Sequence, residues 1–243
     1  MRHEARGDMS DAVVTTERIG DVLVARFDDG KANVFSFPAL EQLSAALAEA
    51  SQTAKALVLV GRDGKFSAGF DLKVMTGDPD DARRLLGTGA EFGLSVFTAP
   101  VPVVLGVTGH ALAMGAILTT CADYRVGAQG SYKLGLNEVA IGMPVPIFAT
   151  EMCRDRLAKR WLTRCLQHAY LCTPDEAVDA GFLDEVVEMD GVETRAIDVA
   201  THLAATVHPG PFRMTRTNLR STLAETVRTS MVADLALFDV HSA

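Results

Sequence analysis

Two short, wholly apolar runs, Ala56-Leu57-Val58-Leu59-Val60 and Val103-Val104-Leu105-Gly106-Val107, each lead straight into a glycine-bearing loop. A strand exposed on one face alternates apolar with polar residues. A run with no polar member needs cover on both faces, as in the parallel sheets of α/β proteins. The intervening sequence supplies the cover. Ser36 is an N-cap candidate with Pro38 in the first turn, and Leu40, Leu43 and Leu47 recur at helical spacing to about Ala50. Strands alternating with helices predict the α/β class.

The same reading extends outwards. Val13–Thr16 and Val22–Phe27 flank Arg18-Ile19-Gly20-Asp21, a hairpin signal. The charged segment from Asp80 is expected to be weakly helical, loosened by Gly87, Gly89 and Gly93. Ala113 to Cys121 reads as a buried helix, Asp123–Val126 and Tyr132–Leu134 as strands, and Ile147 onward as helix. Pro174 to Ala180 is a short helix with Thr173 as its cap, and Leu183 to Val187 a last strand. From Val192 the chain is helical, with a break expected at Pro209-Gly210-Pro211. The organisation expected is an N-terminal arm over 1–12, a core over 13–190 and a helical appendage over 191–243.

Composition removes several function classes. A net charge of −8 over 243 residues argues against nucleic-acid binding, which needs clustered Lys and Arg. Cys121, Cys153, Cys165 and Cys172 show no CxxC pair and no Cys/His ligand spacing, so four free thiols and no metal are expected. Met1 to Met9 is charged with no apolar run behind it, unlike a signal peptide. Ala99 to Val107, the most apolar stretch, is interrupted by Pro100, Pro102 and Gly106 and is too short to span a bilayer. A soluble, cytoplasmic protein with no membrane partner is the expectation.

The two glycine-bearing loops are the first candidates for chemistry. Backbone N–H groups at a helix start lack intrahelical partners and carry partial positive charge. Two of them converging on one point would hold an enolate or tetrahedral oxyanion; the same glycines also serve plain tight turns. Gly87-Thr88-Gly89 lacks the third glycine and the leading strand of a dinucleotide fingerprint. No G-x-S-x-G element occurs, which argues against an α/β-hydrolase.

Lys65-Phe66-Ser67-Ala68-Gly69-Phe70-Asp71-Leu72-Lys73, followed by Gly109-His110-Ala111-Leu112-Ala113-Met114-Gly115-Ala116, resembles the enoyl-CoA hydratase/isomerase (crotonase) family. Thr173-Pro174-Asp175-Glu176-Ala177 through Gly181-Phe182-Leu183-Asp184-Glu185-Val186-Val187 is similar to that family's closing core motif, so the likeness covers residues 13–190. The resemblance implies a spiral of ββα repeats with a C-terminal helical trimerisation region, assembled as a homotrimer or a dimer of trimers. It implies an acyl-CoA thioester as ligand, with CoA carried by the substrate and no separate cofactor. It also implies an oxyanion hole made by the backbone amides of Ala68 and Met114. Met114 departs from the family's usual glycine, and Gly115 stands beside it.

The carboxylates separate the family's reactions. The resemblance implies that a hydratase holds its water with two glutamates. The first position falls on Ile117, which cannot move a proton. The second falls on Glu138 if the preceding loop carries one inserted residue, and on Asn137 without it. Gly135-Leu136-Asn137-Glu138, with Cys121-Ala122-Asp123-Tyr124-Arg125, is similar to the Δ3,Δ2-enoyl-CoA isomerases of the family and favours Glu138. One carboxylate suffices for a 1,3-proton shift from 3-enoyl- to 2-enoyl-CoA, a step of fatty-acid metabolism. For that role Glu138 should sit among apolar walls, expected from Met114, Ile117 and Ile141, with its pKa raised.

Ser67, Phe70, Leu72 and Gly115 are expected to line the ligand site, with Asp71 fixing the loop. Lys31 and Lys73 are candidates for the CoA phosphates. His110 reads as a turn residue and Asp123 as a partner for a backbone group or an Arg. An acyl-CoA binder without activity is the alternative that Met114 and Ile117 favour, and a hydratase of low activity is another. Thioester hydrolysis or decarboxylation finds no extra nucleophile or His–Asp pair to support it.

Overall fold

The computed structural model describes residues 12–237; of the N-terminal arm expected over 1–12, all but Ala12 lies outside them. Four successive turns of strand, strand and helix build the molecule. The first comprises β1 (Val14–Ile19), β2 (Val22–Phe27), β3 (Val34–Phe35) and α1 (Phe37–Thr53). The second comprises β4 (Ala56–Val60), β5 (Gly64–Ser67), β6 (Gly69–Phe70), α2 (Leu72–Met75) and α3 (Pro79–Phe97). The third is β7 (Val103–Val107), β8 (Gly109–Leu112) and α4 (Met114–Cys121). The fourth is β9 (Tyr124–Ala128), β10 (Leu134–Gly135) and α5 (Ile147–Arg156). Then come α6 (Pro174–Ala180), β11 (Glu185–Val187), α7 (Val192–Thr206) and α8 (Pro209–Leu237).

β1 and β2 of the first turn, the first strand of each later turn and the final β11 form a six-stranded sheet of order β1-β2-β4-β7-β9-β11, in which only the β1–β2 hairpin is antiparallel. The later strands form a parallel sheet β10-β8-β5 and a two-stranded β3-β6 pair. Every residue of β4 and β7 is buried, and side-chain alternation explains the continuous apolar runs. Leu57, Leu59, Val103 and Leu105 face the main core with Leu40 and Leu43 of α1. Ala56, Val58, Val60 and Val104 face the opposite way, onto Ala196 and Ala200 of α7.

That second contact corrects the expectation of an appendage. α7 is a layer of the domain, its small alanines letting it lie close on the sheet. α8 packs on α3 and α5. The break between them falls at Val207-His208; Pro209 and Pro211 sit in the first turn of α8, where a missing N–H costs nothing.

Ser36 caps α1 by accepting the N–H of Ala39, and Thr173 caps α6 in a reciprocal box with Glu176. The glycines of α3 do not loosen it; the helix runs unbroken from Pro79 to Phe97. A Cβ on Gly89 would lie 2.3 Å from Phe70 Cε1, and one on Gly93 3.4 Å from the Met114 methyl. The glycines leave room for two side chains that the fold must place there. Asp123 accepts the N–H of Val103 and ion-pairs with Arg216 and Arg220, tying α8 to the entry of β7.

Candidate active site

Helix α4 begins where β8 ends. Ala113 holds φ +49°, ψ −123°, its N–H donates to Gly135 O, and the first helical bond is Ile117 N–H to Ala113 O at 3.0 Å. The amides of Met114, Gly115 and Ala116 therefore open the helix without partners one turn back, at its positive end. The Met114 side chain is fully buried beside Gly93, on the α3 side of the helix. It does not wall Glu138.

The loop after β5 presses against this helix start. Gly69 (φ +96°) has no space for a side chain: a Cβ would come 2.9 Å from Ala113 Cβ and 3.5 Å from Met114 N. A Cβ on Gly115 would come 2.8 Å from Ser67 O. Ser67 is buried and its Oγ accepts the Gly69 N–H. Ser67 and Gly69 of this loop thus lie against Met114 and Gly115 at the start of the helix. Ala68 is a correction. Its N–H donates to Ala32 O at 3.0 Å, so it is committed to the fold and cannot serve a ligand.

Glu138 follows β10 and opens a 3-10 turn, Val139–Ile141. Its carboxyl is buried, Oε2 has no hydrogen-bond partner among the described residues, and burial raises its pKa above the ordinary carboxylate value. It faces a cavity of about 40 Å³ lined by Phe70, Met75, Leu86, Ile117, Met143, Pro144, Pro146 and Phe148. Glu138 is the one ionisable residue in that lining. Ile117 is a wall, as expected. Ile141 is not: it is 55% exposed and points away from the lining.

The remaining candidates divide cleanly. Phe70 lines the cavity; Asp71 caps α2 by accepting the Lys73 N–H at 2.9 Å, so it fixes the loop. Leu72, Lys31 and Lys73 lie at the surface. His110 accepts the Lys133 N–H through Nδ1 and packs edge-on to Tyr132. The four cysteines are free and buried. Sequence reading missed Met75, Leu86, Met143, Pro144, Pro146 and Phe148. The signal available was Met143-Pro144-Val145-Pro146, a stiff extended run that cannot continue a helix and returns across Glu138.

A buried carboxyl, an apolar cavity and a helix start pressed against a second loop define an enzyme-like site in a ββα spiral. The sequence model described as enoyl-CoA hydratase/isomerase matches residues 17–242, and the chain belongs to that family. It is 30% identical to mouse "Enoyl-CoA delta isomerase 1, mitochondrial" over 93% of this chain and 80% of that protein. A solved enoyl-CoA hydratase/isomerase family protein of Pseudomonas syringae superposes with TM-score 0.90 at 32% identity, covering 93% of this chain and 97% of the other. Human mitochondrial delta3-delta2-enoyl-CoA isomerase gives 0.86 at 26% identity, covering 93% and 90%. Among the described residues no helix is long and apolar enough to cross a membrane.

Proposed function

We propose that this family member is an isomerase that converts 3-enoyl-CoA to 2-enoyl-CoA, with Glu138 moving the proton. The observation that carries the reading is a lone buried carboxyl in an otherwise apolar cavity that Ile117 also lines. Ionised Glu138 takes a proton from C2, and the C2–H pair forms the C1–C2 double bond of an enolate. The enolate then collapses, C2=C3 forms, and the C3=C4 pair takes the proton back from Glu138 at C4. The oxyanion is held by the amides of Met114 and of Phe70, the residue after Gly69, in place of Ala68.

A carboxyl surrounded by hydrocarbon is a stronger base when ionised and a ready acid once protonated, as a shuttle requires. Hydration needs a second group to hold water, and Ile117 offers none. The delta-isomerase names of the mouse and human relatives agree with this choice. The CoA portion arrives with the substrate, with Lys31 and Lys73 near enough to the surface to meet its phosphates. Exposed Met214, Leu219 and Val232 on α8 support assembly as a homotrimer or a dimer of trimers.

The test is the rate at which the purified protein converts 3-hexenoyl-CoA to the conjugated 2-enoyl thioester, beside its hydration of 2-hexenoyl-CoA. Isomerisation exceeding hydration by at least ~10², the scale of one positioned acid/base group, is expected. Comparable hydration would assign the chain to the hydratases. Binding of hexanoyl-CoA with neither reaction would make it an acyl-CoA binder.

A further inference from the structure

Resting on that reading, we propose that the site selects short acyl chains, with Leu86 and Met75 as its end stop. C2 and C4 must both reach Glu138, so every carbon beyond C4 has to continue past it into the cavity. The cavity holds about 40 Å³. One water needs about 10–15 Å³ of such space, so roughly three carbon-sized groups fit. Leu86, Met75 and Phe148 form its floor and are each under 9% exposed, backed by the main core. Met143 and Pro146 are half-buried, Pro144 is exposed, and together they form the rim.

The floor cannot recede cheaply. Leu86 belongs to α3, whose Gly89 and Gly93 already fit tightly around Phe70 and Met114. A group forced into a filled core costs about 10-fold or more in binding. The rim offers the competing route. Pro144 also borders a groove of about 540 Å³ beside Val139, Leu162 and Leu166. A long tail would have to lift the 143–146 segment to reach it.

The experiment compares kcat/KM for 3-hexenoyl-CoA and 3-dodecenoyl-CoA in the wild type and in Leu86→Ala. The expected wild-type preference for hexenoyl is at least ~10-fold, reduced by at least ~10-fold in Leu86→Ala. Saturated hexanoyl- and dodecanoyl-CoA are titrated into the wild type alongside. Where there is room, each added buried methylene tightens binding about 4-fold, so dodecanoyl-CoA binding no tighter than hexanoyl-CoA supports the stop without needing turnover. Equal or better use of the dodecenoyl substrate, with tighter dodecanoyl binding, overturns it and sends the tail past Pro144. Selective hexanoyl binding without any turnover leaves the chain-length inference standing and removes the isomerase reading instead.

Discussion

Replacing Gly89 by alanine tests how tightly the site is built into α3. In an open mid-helix position the change stabilises by about 1 kcal/mol, because alanine loses less backbone freedom. Here the new Cβ would lie 2.3 Å from Phe70 Cε1 and 2.5 Å from Cζ. Carbon atoms rest about 3.5–4.0 Å apart, so the ring tip must retreat by more than ~1 Å. Overpacking of this kind costs about 1–3 kcal/mol, which leaves a net effect from near zero to ~2 kcal/mol of destabilisation. At about 2–4 °C per kcal/mol for a chain of this size, Tm stays level or falls by up to ~8 °C. Phe70 is a wall of the Glu138 cavity, so a shift of its ring reshapes that cavity. Misplacement by about 1 Å near the reacting atoms can cost ~10² in kcat/KM. Thermal unfolding and the isomerase assay on the same preparation read both effects. A Tm raised by 2–4 °C with unchanged kcat/KM would refute the contact and its role.

Three further outcomes are expected. Burial raises the Glu138 pKa, and only the ionised form removes the C2 proton, so kcat/KM should fall on the acid side with a midpoint above 4.5. The same shift sets a sign for stability: the folded state favours protonated Glu138, so its contribution declines as pH rises from the unfolded-state pKa through the folded one. Glu138→Gln should therefore gain stability relative to wild type as pH rises, read by urea unfolding at several pH values. Asp123→Ala should cost about 3–5 kcal/mol, because it leaves the buried Arg216 guanidinium with the carbonyls of Ala99 and Val101 but without its counter-ion. Chemical denaturation reads that loss, and a change under 1 kcal/mol would contradict a paired role for Asp123.

Features set by local chemistry could be read from the sequence. The all-apolar β4 and β7, the Ser36 cap and the Thr173–Glu176 box depend on residues a few positions apart. Features set by distant partners could not. Ala68 reads as a donor until Ala32, in the loop between β2 and β3, claims its amide. Gly87, Gly89 and Gly93 weaken a helix by propensity alone, but two of them accommodate Phe70 and Met114 from other elements. Ile141 is apolar and near Glu138 in sequence, yet the 3-10 turn carries it to the surface while Met143 and Pro144 come back over the carboxyl. The alanines of α7 gave no sign of a sheet beneath them, because a small-residue helix face looks alike whether it packs on a sheet or on another helix.

The most direct test of Glu138 as the proton carrier is the isomerisation rate of Glu138→Gln beside wild type, with hexanoyl-CoA affinity measured on both. The amide fills the same space and cannot take up the proton. A loss of at least ~10² in kcat with affinity retained is the expected result. A variant that isomerises at the wild-type rate would contradict it and place the acid/base group elsewhere.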